Sequence, residues 1–314
     1  MNSYMKWGIG VLAVILLVPL ALNMSSGNSS QQLRVITYNV QFLPGLAATN
    51  SKRPNTGYRA SRIVEEIAQY DVIALQEMFD DHWRQFIIEG VREAWGGEAH
   101  VFESPPAAGH IAIGGCVVIS RYPITETNSV VFQNFSTMEE YGFNADGLAA
   151  KGVIHTRLML GKDEGSSLDI FVTHIEAAAR DKRPLQYAEM AAFIKRVGMP
   201  NIPMLLLGDL NTNGKPSNWS KPKSQYSQLL HELNQSRPIP IIDVWRELKG
   251  EALGGTTEQD PAALGNRIDY VFYGPGESAS LSLEPIDTWV EPYQDESIVA
   301  LSDHNAVVAE FTIR

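Results

Sequence analysis

The chain has 314 residues, of which 44% are hydrophobic and 19% charged, a composition that can bury a full core. Its 25 basic and 36 acidic residues give a formal net charge of −11, which argues against a broad surface for nucleic acid or another polyanion. The single cysteine, Cys116, excludes an intramolecular disulfide and a cysteine-rich zinc site.

The first apolar segment has the pattern of an export signal. Residues 7–22 carry no charge, follow a lone Lys6 and precede a polar stretch. The run is short for a membrane span of about 20 residues, and Pro19 interrupts it, as is typical of a signal peptide. We predict that residues 1–31 form a signal peptide or an N-terminal membrane anchor with a polar spacer. The chain is then exported, either tethered in the cell envelope (periplasm) or secreted.

Short apolar runs rich in β-branched residues alternate with helical patterns beyond this segment. Strands are predicted at 33–40, 72–75, 115–120, 127–132, 153–159, 168–172, 204–207, 267–272 and 306–312, and helices at 58–70, 81–94, 182–197 and 224–233. Several neighbouring strands have no helix between them, which favours mixed sheets covered by helices over a doubly wound parallel sheet. One domain is predicted, from residue 32 to residue 314. Cys116 lies in an apolar strand and is expected to be a packed thiol rather than a nucleophile.

Polar side chains recur at the ends of the predicted strands. They are Asn39, Glu77, His174, Asp209 with Asn211, Asp269, and Asp303 with His304. A polar residue just past a strand is commonly only a cap or a turn. Strand ends in an α/β protein gather at one rim, however, so these groups are expected to converge on one pocket.

Three of these residues offer the hard oxygen ligands that Mg²⁺ prefers. Glu77, Asn39 and Asp303 are the candidates, with Mn²⁺ or another divalent ion as alternatives. An ion held in this way polarises a phosphoryl oxygen and stabilises a leaving oxygen. The pattern therefore points to metal-assisted hydrolysis of a phosphoester.

The remaining strand-end residues fit proton transfer and phosphate binding in that reaction. His304 can transfer the proton while Asp269 fixes its tautomer, and Asp209 can activate or orient the attacking water. Asn211 and His174 would donate hydrogen bonds to the phosphoryl oxygens as charge develops on them. We predict direct attack of water, without a covalent enzyme intermediate.

The motifs TYNVQFLP, LQEMFDD, GCVVISRYPI, FVTHIEA, LLLGDLN, RIDYVFY and LSDHNAVVAEF occur in this order between residues 33 and 314. They resemble the endonuclease/exonuclease/phosphatase superfamily. The resemblance implies a four-layered α/β sandwich, in which two mixed β-sheets pack face to face between helices, and a Mg²⁺-dependent phosphodiesterase site. It also implies that Asn39 and Glu77 are the principal metal ligands and that Asp269 and His304 form the dyad.

The segments YNVQFLPG, EMFD, DGLAAKGV and THIEA resemble the neutral sphingomyelinase-like, phospholipase C-type branch. This likeness implies that Asp146 belongs to the active site together with His174. The function expected is an exported phosphodiesterase that releases phosphocholine or a similar headgroup at a membrane surface, with no protein partner implied. The alternatives are a nuclease, a phosphatase of inositol phosphates or other small phosphoesters, and, more remotely, an inactive envelope protein that only binds.

The chain also departs from that branch. Membrane-damaging sphingomyelinases resemble each other in an aromatic-tipped hairpin, whereas the interval 274–301 here has only Trp289 and Tyr293 among acidic residues. We interpret Trp289 as a packed strand residue. The aromatic side chains of 132–143 either face lipid or pack in the core.

Overall fold

The computed structural model describes residues 31–45, 55–142, 145–257, 266–294 and 300–314. The predicted export signal lies outside these residues, apart from Gln31, so its boundary stays a prediction. Within the described ranges, none of the helices combines the length and hydropathy that crossing a membrane requires.

Two six-stranded sheets form the centre of the molecule. The first sheet contains β1 (Gln31–Phe42), β2 (Val72–Met78), β3 (His100–Glu103), β4 (Val117–Ser120), β11 (Leu283–Glu291) and β12 (Ala306–Ile313), in the order β11-β12-β1-β2-β4-β3. The second contains β5 (Ile124–Val131), β6 (Gly152–Met159), β7 (Ser167–His174), β8 (Met204–Asp209), β9 (Ile242–Asp243) and β10 (Asp269–Gly274), in the order β5-β6-β7-β8-β10-β9. The pairs β1–β2 and β7–β8 are parallel and the other pairs are antiparallel, so both sheets are mixed as predicted.

The helices are α1 (Thr56–Ile67), α2 (Asp81–Ala94), α3 (Met138–Tyr141), α4 (Arg183–Val197), α5 (Gln225–Gln235) and α6 (Val244–Lys249). Helices α1, α2, α4 and α5 cover the outer faces of the two sheets, whereas Val244 of α6 packs between the sheets. Ile63 of α1 and Ile87 of α2 pack on the first sheet, and Phe193 of α4 and Leu229 of α5 pack on the second. A third cluster fills the space between the sheets, where Val35, Ile170 and other alternate strand residues meet. These layers confirm the four-layered α/β sandwich.

Most predicted elements are present, with bounds shifted by a few residues. Helix α2 begins and ends at the predicted residues. Asp80 caps its start and accepts a 3.1 Å hydrogen bond from the backbone N–H of Trp83. Strands β3, β9 and β11 and helices α3 and α6 were not predicted. Cys116 is a free, buried cysteine, as expected.

The two aromatic residues of the 274–301 interval are built into the fold. Trp289 lies in β11 and packs, half-buried, against the cluster under α1 and α2, which confirms its interpretation as a packed strand residue. Tyr293 is 9% exposed, and its hydroxyl lies 3.1 Å from that of Tyr70. In the earlier aromatic stretch, Phe132 is buried in the core and Tyr141 is exposed. Residues 143 and 144 are outside the described ranges.

Candidate active site

The carboxyl ends of the two parallel strand pairs meet at one rim. In the second sheet, His174 at the end of β7 is in register with Asp209 at the end of β8. Strand β10 runs antiparallel to β8, so its first residue, Asp269, lies beside Asp209. Gly208 makes this close packing possible, because a Cβ there would lie 2.0 Å from the carbonyl oxygen of Thr173. The strand ends predicted to converge are therefore neighbours.

Asp269 and His304 form a hydrogen-bonded dyad. The Asp269 carboxylate Oδ2 lies 2.9 Å from Nδ1 of His304 and fixes the ring, while Nε2 faces Oδ2 of Asp209 at 3.6 Å. Burial lowers the pKa of His304, but the charges of Asp269 and Asp209 outweigh it and hold that pKa well above its usual value. The imidazole is thus charged in this arrangement and its Nε2–H points at the centre of the site.

Asp209 connects the dyad to the first sheet. Its Oδ2 accepts a 3.1 Å hydrogen bond from Nδ2 of Asn39, and the same amide group donates to Oε1 of Glu77 at 3.0 Å. Burial, together with the charge of Asp269, raises the pKa of Asp209 to about 7. Burial and the charge of Asp303 likewise raise the pKa of Glu77. On each side of the site, therefore, two carboxylates are close enough for one to disfavour the charge of the other.

Asp303 joins the site through two neighbours. Oδ2 of Asp303 accepts a 2.5 Å hydrogen bond from Nε2 of Gln41, and Ser302 donates a 2.6 Å hydrogen bond to the backbone carbonyl of Asn39. The segment before β12 is thereby held against the end of β1. Gln41 was missed in the sequence, although it lies two residues after Asn39 in the motif that was singled out.

Lys151 is a buried site residue that contacts Asp146 and His174. Its Nζ is 2.9 Å from Oδ2 of Asp146 and 3.0 Å from Nε2 of His174. Burial lowers the pKa of Lys151, but the charges of Asp146 and Glu77 raise it more, so the ammonium stays charged. The burial of His174, with the charge of Lys151, holds the pKa of His174 well below its usual value. His174 is therefore neutral and accepts a hydrogen bond from Lys151 at Nε2.

This hydrogen bond has a consequence for the other ring nitrogen of His174. Since Nε2 accepts, the proton of the neutral ring is on Nδ1, and Nδ1 is buried without a hydrogen-bond partner among the described residues. Lys151 was not predicted to be functional, because a lysine in a sequence is ordinarily a solvated side chain. The only signal was its position five residues after Asp146 in DGLAAKGV.

Three non-glycine residues of the site have a left-handed backbone. Gln41, Glu77 and Asn211 have φ values of 52°, 58° and 47°. Such conformations each cost about 1–3 kcal/mol and are found where the surrounding structure enforces them, often at functional sites. Each follows the regular part of a strand or lies at its carboxyl end. The strained turns therefore direct the end-of-strand side chains into the rim.

The donor set at the rim is suitable for a divalent cation. Among the described residues, Asp209, Asp269 and His304 offer ligand atoms that all lie within 4.8 Å of one another. The adjacent predicted ligands, Glu77, Asn39 and Asp303, add carboxylate and amide oxygens. Asn39 directs its N–H groups at Glu77 and Asp209, which is where a cation would relieve the repulsion between carboxylates. A cation held by Glu77, Asn39 and Asp303 leaves the hydrogen bond between His304 and Asp269 intact. For this reason we favour this set over Asp209, Asp269 and His304 as the cation ligands.

The structure thus places all the predicted site residues at one rim. Asn211 is also there, with its backbone N–H 2.9 Å from Oδ1 of Asp209, while its side-chain Nδ2 donates to the carbonyl of Ile175 at 3.0 Å. Asp146 is a partner of Lys151 rather than a direct neighbour of the dyad. The charge of the Lys151 ammonium, 2.9 Å away, outweighs the effect of burial and lowers the pKa of Asp146 to about 2.

Comparison with known proteins agrees with this fold. A family profile described as "Endonuclease/Exonuclease/phosphatase family" matches residues 36–304. A protein named sphingomyelinase C from Leptospira interrogans is 27% identical over 289 residues, covering 82% of this chain and 48% of that protein. The chain spans about half the length of the Leptospira relatives that it matches.

Solved structures share the fold. A crystal structure of a Staphylococcus aureus beta toxin mutant with bound magnesium ions has a TM-score of 0.63 at 18% identity, covering 89% of this chain and 99% of the other. A D. rerio TDP2 in complex with a single-strand DNA product also has a TM-score of 0.63, at 17% identity, covering 90% of this chain and 99% of the other. At this identity the likeness concerns the fold and leaves the substrate open.

Proposed function

The chain belongs to the Endonuclease/Exonuclease/phosphatase family, and we propose that it is a metal-dependent phosphodiesterase that hydrolyses the headgroup ester of a phospholipid. The observation that carries the proposal is the continuous set of contacts from the His304–Asp269 dyad through Asp209 and Asn39 to Glu77. It joins a proton-transfer group, a water-activating carboxylate and a metal-ligand set at one rim. The names of the relatives, sphingomyelinases and phospholipases C, make sphingomyelin the first substrate to test.

Each residue has a role that follows from its contacts. Asp209, with a raised pKa, is a base near neutrality and orients the attacking water. The charged ring of His304, held by Asp269, donates its Nε2 proton or a hydrogen bond to a phosphoryl or leaving oxygen. Buried Lys151 places a positive charge beside the phosphate site, where it favours the developing negative charge. Asp146 and His174 hold that ammonium in place.

Glu77, Asn39 and Asp303 are the residues that we propose to hold the ion, with Mg²⁺ as the first candidate. When bound, the ion supplies charge neutralisation and polarises the phosphoryl group. The half-buried carboxylates of Glu77 and Asp303, with the raised pKa of Glu77, are consistent with a site that a divalent cation completes.

An apolar cavity next to the site supports a lipid substrate. It has a volume of about 250 Å³ and is lined by Leu43, Phe79, Ile111 and Leu148 together with Glu77, Lys151 and His174. Ile111 is 85% exposed at its mouth. A phosphodiester bound between Glu77 and Lys151 would place an apolar substituent in this cavity. A lipid provides such a substituent, and the ester of a small sugar does not.

We also propose that the chain is exported through residues 1–31 and that the phosphodiesterase domain covers residues 32–314. Its substrate is then reached at a membrane surface, in the cell envelope or outside the cell. The aromatic residues Trp289 and Tyr293 are packed into the fold, so the described part of interval 274–301 offers no aromatic tip for insertion into lipid.

The test is product release by the purified full chain from mixed micelles of detergent and sphingomyelin, with a parallel panel of glycerophospholipids. Release of a phosphorylated headgroup that needs Mg²⁺ and stops with EDTA is the expected result. If the chain hydrolyses single-stranded DNA or soluble inositol phosphates but none of the lipids, the proposed lipid substrate is refuted. The proposed phosphoesterase site would still stand. His304→Ala is the matched inactive control.

A further inference from the structure

We propose that a second, polar cavity beside Asn211 binds the headgroup, and that it selects a headgroup with an anionic group in addition to the scissile phosphate. This cavity has a volume of about 510 Å³ and is lined by Ala177, Arg180, Asn211 and Ile268 among other residues. The inference rests on the proposed function and specifies its substrate class.

Asp209 contacts one lining residue of each cavity. Its Oδ2 is 3.4 Å from Nε2 of His174, which lines the apolar cavity, and its Oδ1 accepts the backbone N–H of Asn211, which lines the polar cavity. A phosphodiester centred near Asp209 has two substituents. If the lipid occupies the apolar cavity, the headgroup is directed to the polar one.

The charge of the polar cavity is opposite to that of the whole chain. Among the described residues that line it, the charged side chains are Arg180 and Arg183, and none is Asp or Glu. Arg183 is buried, and its guanidinium donates to the backbone carbonyls of Glu176, Ala177 and Asn211. These donors are therefore not available to a ligand. The fixed charge of Arg183 nevertheless contributes to the potential of the cavity.

Arg180 is the residue available to a ligand. Its side chain is exposed and makes no hydrogen bond or ion pair with any other described residue, whereas its backbone carbonyl accepts from Gln225. A guanidinium binds carboxylate or phosphate through two parallel N–H donors. An unpaired arginine at a cavity that adjoins the site is therefore suited to an anionic group.

The same cavity is poorly suited to choline. A quaternary ammonium is usually recognised by the faces of aromatic rings. The one aromatic residue of the described lining, Tyr226, is 1% exposed and donates its hydroxyl to Asp243. With two arginines and no aromatic face in the described lining, a trimethylammonium group would be repelled rather than held. The cavity thus favours a headgroup such as a phosphorylated inositol over phosphocholine.

The experiment compares two lipids and three proteins. The full chain, its Arg180→Gln variant and a control, Lys162→Gln, are assayed on mixed micelles of phosphatidylinositol 4-phosphate and of sphingomyelin. Lys162 is exposed in the turn after β6, at the end of that strand away from Lys151, so its variant loses the same charge elsewhere. A second readout, independent of turnover, is calorimetric binding of inositol 1,4-bisphosphate in EDTA.

We expect the full chain to prefer phosphatidylinositol 4-phosphate, and Arg180→Gln to lower kcat/KM for it about 10-fold, as for the loss of one charge-assisted hydrogen bond. Activity on sphingomyelin should not fall, because the variant removes a charge that repels choline, whereas the affinity for inositol 1,4-bisphosphate should fall about 10-fold. The control variant should match the wild type in both assays.

Other results would separate the inference from the proposed function. Lipid hydrolysis that Arg180→Gln and Lys162→Gln affect equally, or an equal loss on both lipids, refutes the headgroup site and leaves the proposed function. Arg180-dependent cleavage of a single-stranded oligonucleotide, with all lipids untouched, replaces the headgroup by a nucleic acid. Arg180-dependent binding of inositol 1,4-bisphosphate with no hydrolysis of any lipid supports the anion site and refutes the proposed function.

Discussion

The dyad can be tested by a double-mutant cycle of His304→Ala and Asp269→Asn. Loss of a proton-transfer group usually costs 10²–10⁴-fold in rate, or about 3–5 kcal/mol, and this is the range expected for His304→Ala. Asp269 acts through His304, since its Oδ2 meets Nδ1 at 2.9 Å. Replacing that carboxylate by an amide removes the negative charge that strengthens this hydrogen bond and keeps the ring charged, which predicts a loss of about 10- to 100-fold.

The double variant shows whether Asp269 acts through His304 or whether the two residues contribute to kcat/KM independently. Without the imidazole, Asp269 has no ring to hold, so His304→Ala with Asp269→Asn should be within about 3-fold of His304→Ala alone. The assay is kcat/KM for headgroup release from mixed micelles, with thermal unfolding of all four proteins as the control for folding. A double variant whose loss equals the product of the two single losses would refute the coupling.

Three further predictions concern the ion, the core and the thiol. Glu77→Gln should raise the Mg²⁺ concentration for half-maximal activity by at least about 10-fold, and an unchanged titration would place the ion elsewhere. Arg267→Met should lower the free energy of unfolding in urea by about 3–5 kcal/mol, because Arg267 and Asp243 form a buried, bidentate pair; Lys249→Met, in an exposed pair, should cost less than about 1 kcal/mol. Burial raises the pKa of Cys116 to about 12, so the native chain should resist iodoacetamide at pH 8 and react fully in denaturant, and rapid native labelling would contradict the packed thiol.

The sequence predicts the strands that are buried on both faces better than those at the edges. Strand β8 has an uninterrupted apolar run and is buried at every position. By contrast, β11 is an edge strand that contains Pro285 and Asp287, and most of its residues are at least partly exposed. Strand β3 is half-buried at each of its positions. Such strands are stabilised by pairing with a neighbour, which a single sequence does not reveal.

The site residues that lie at the ends of buried strands could be predicted from the sequence. Asp209 and His174 were found in this way, since polar residues after long apolar runs are conspicuous. Lys151 and Gln41 were missed because their roles depend on what the fold brings next to them. Asp146 and Ile175 accept hydrogen bonds from the buried ammonium of Lys151, and Gln41 donates to Asp303, which lies far along the chain.

The proposed headgroup preference could not be predicted from the sequence, because residues from distant segments form the polar cavity. Arg180 precedes α4, Asn211 follows β8 and Asn266 precedes β10. Their proximity is a product of the sheet order β7-β8-β10, and neither charge nor spacing along the chain indicates it.

The most direct test of the central claim is headgroup release from mixed micelles by the full chain, measured with Mg²⁺, with EDTA and with His304→Ala. The expected result is release from at least one phospholipid that requires Mg²⁺, stops with EDTA and falls at least about 100-fold in the variant. Release that continues unchanged in EDTA, or in a folded His304→Ala variant, would contradict it.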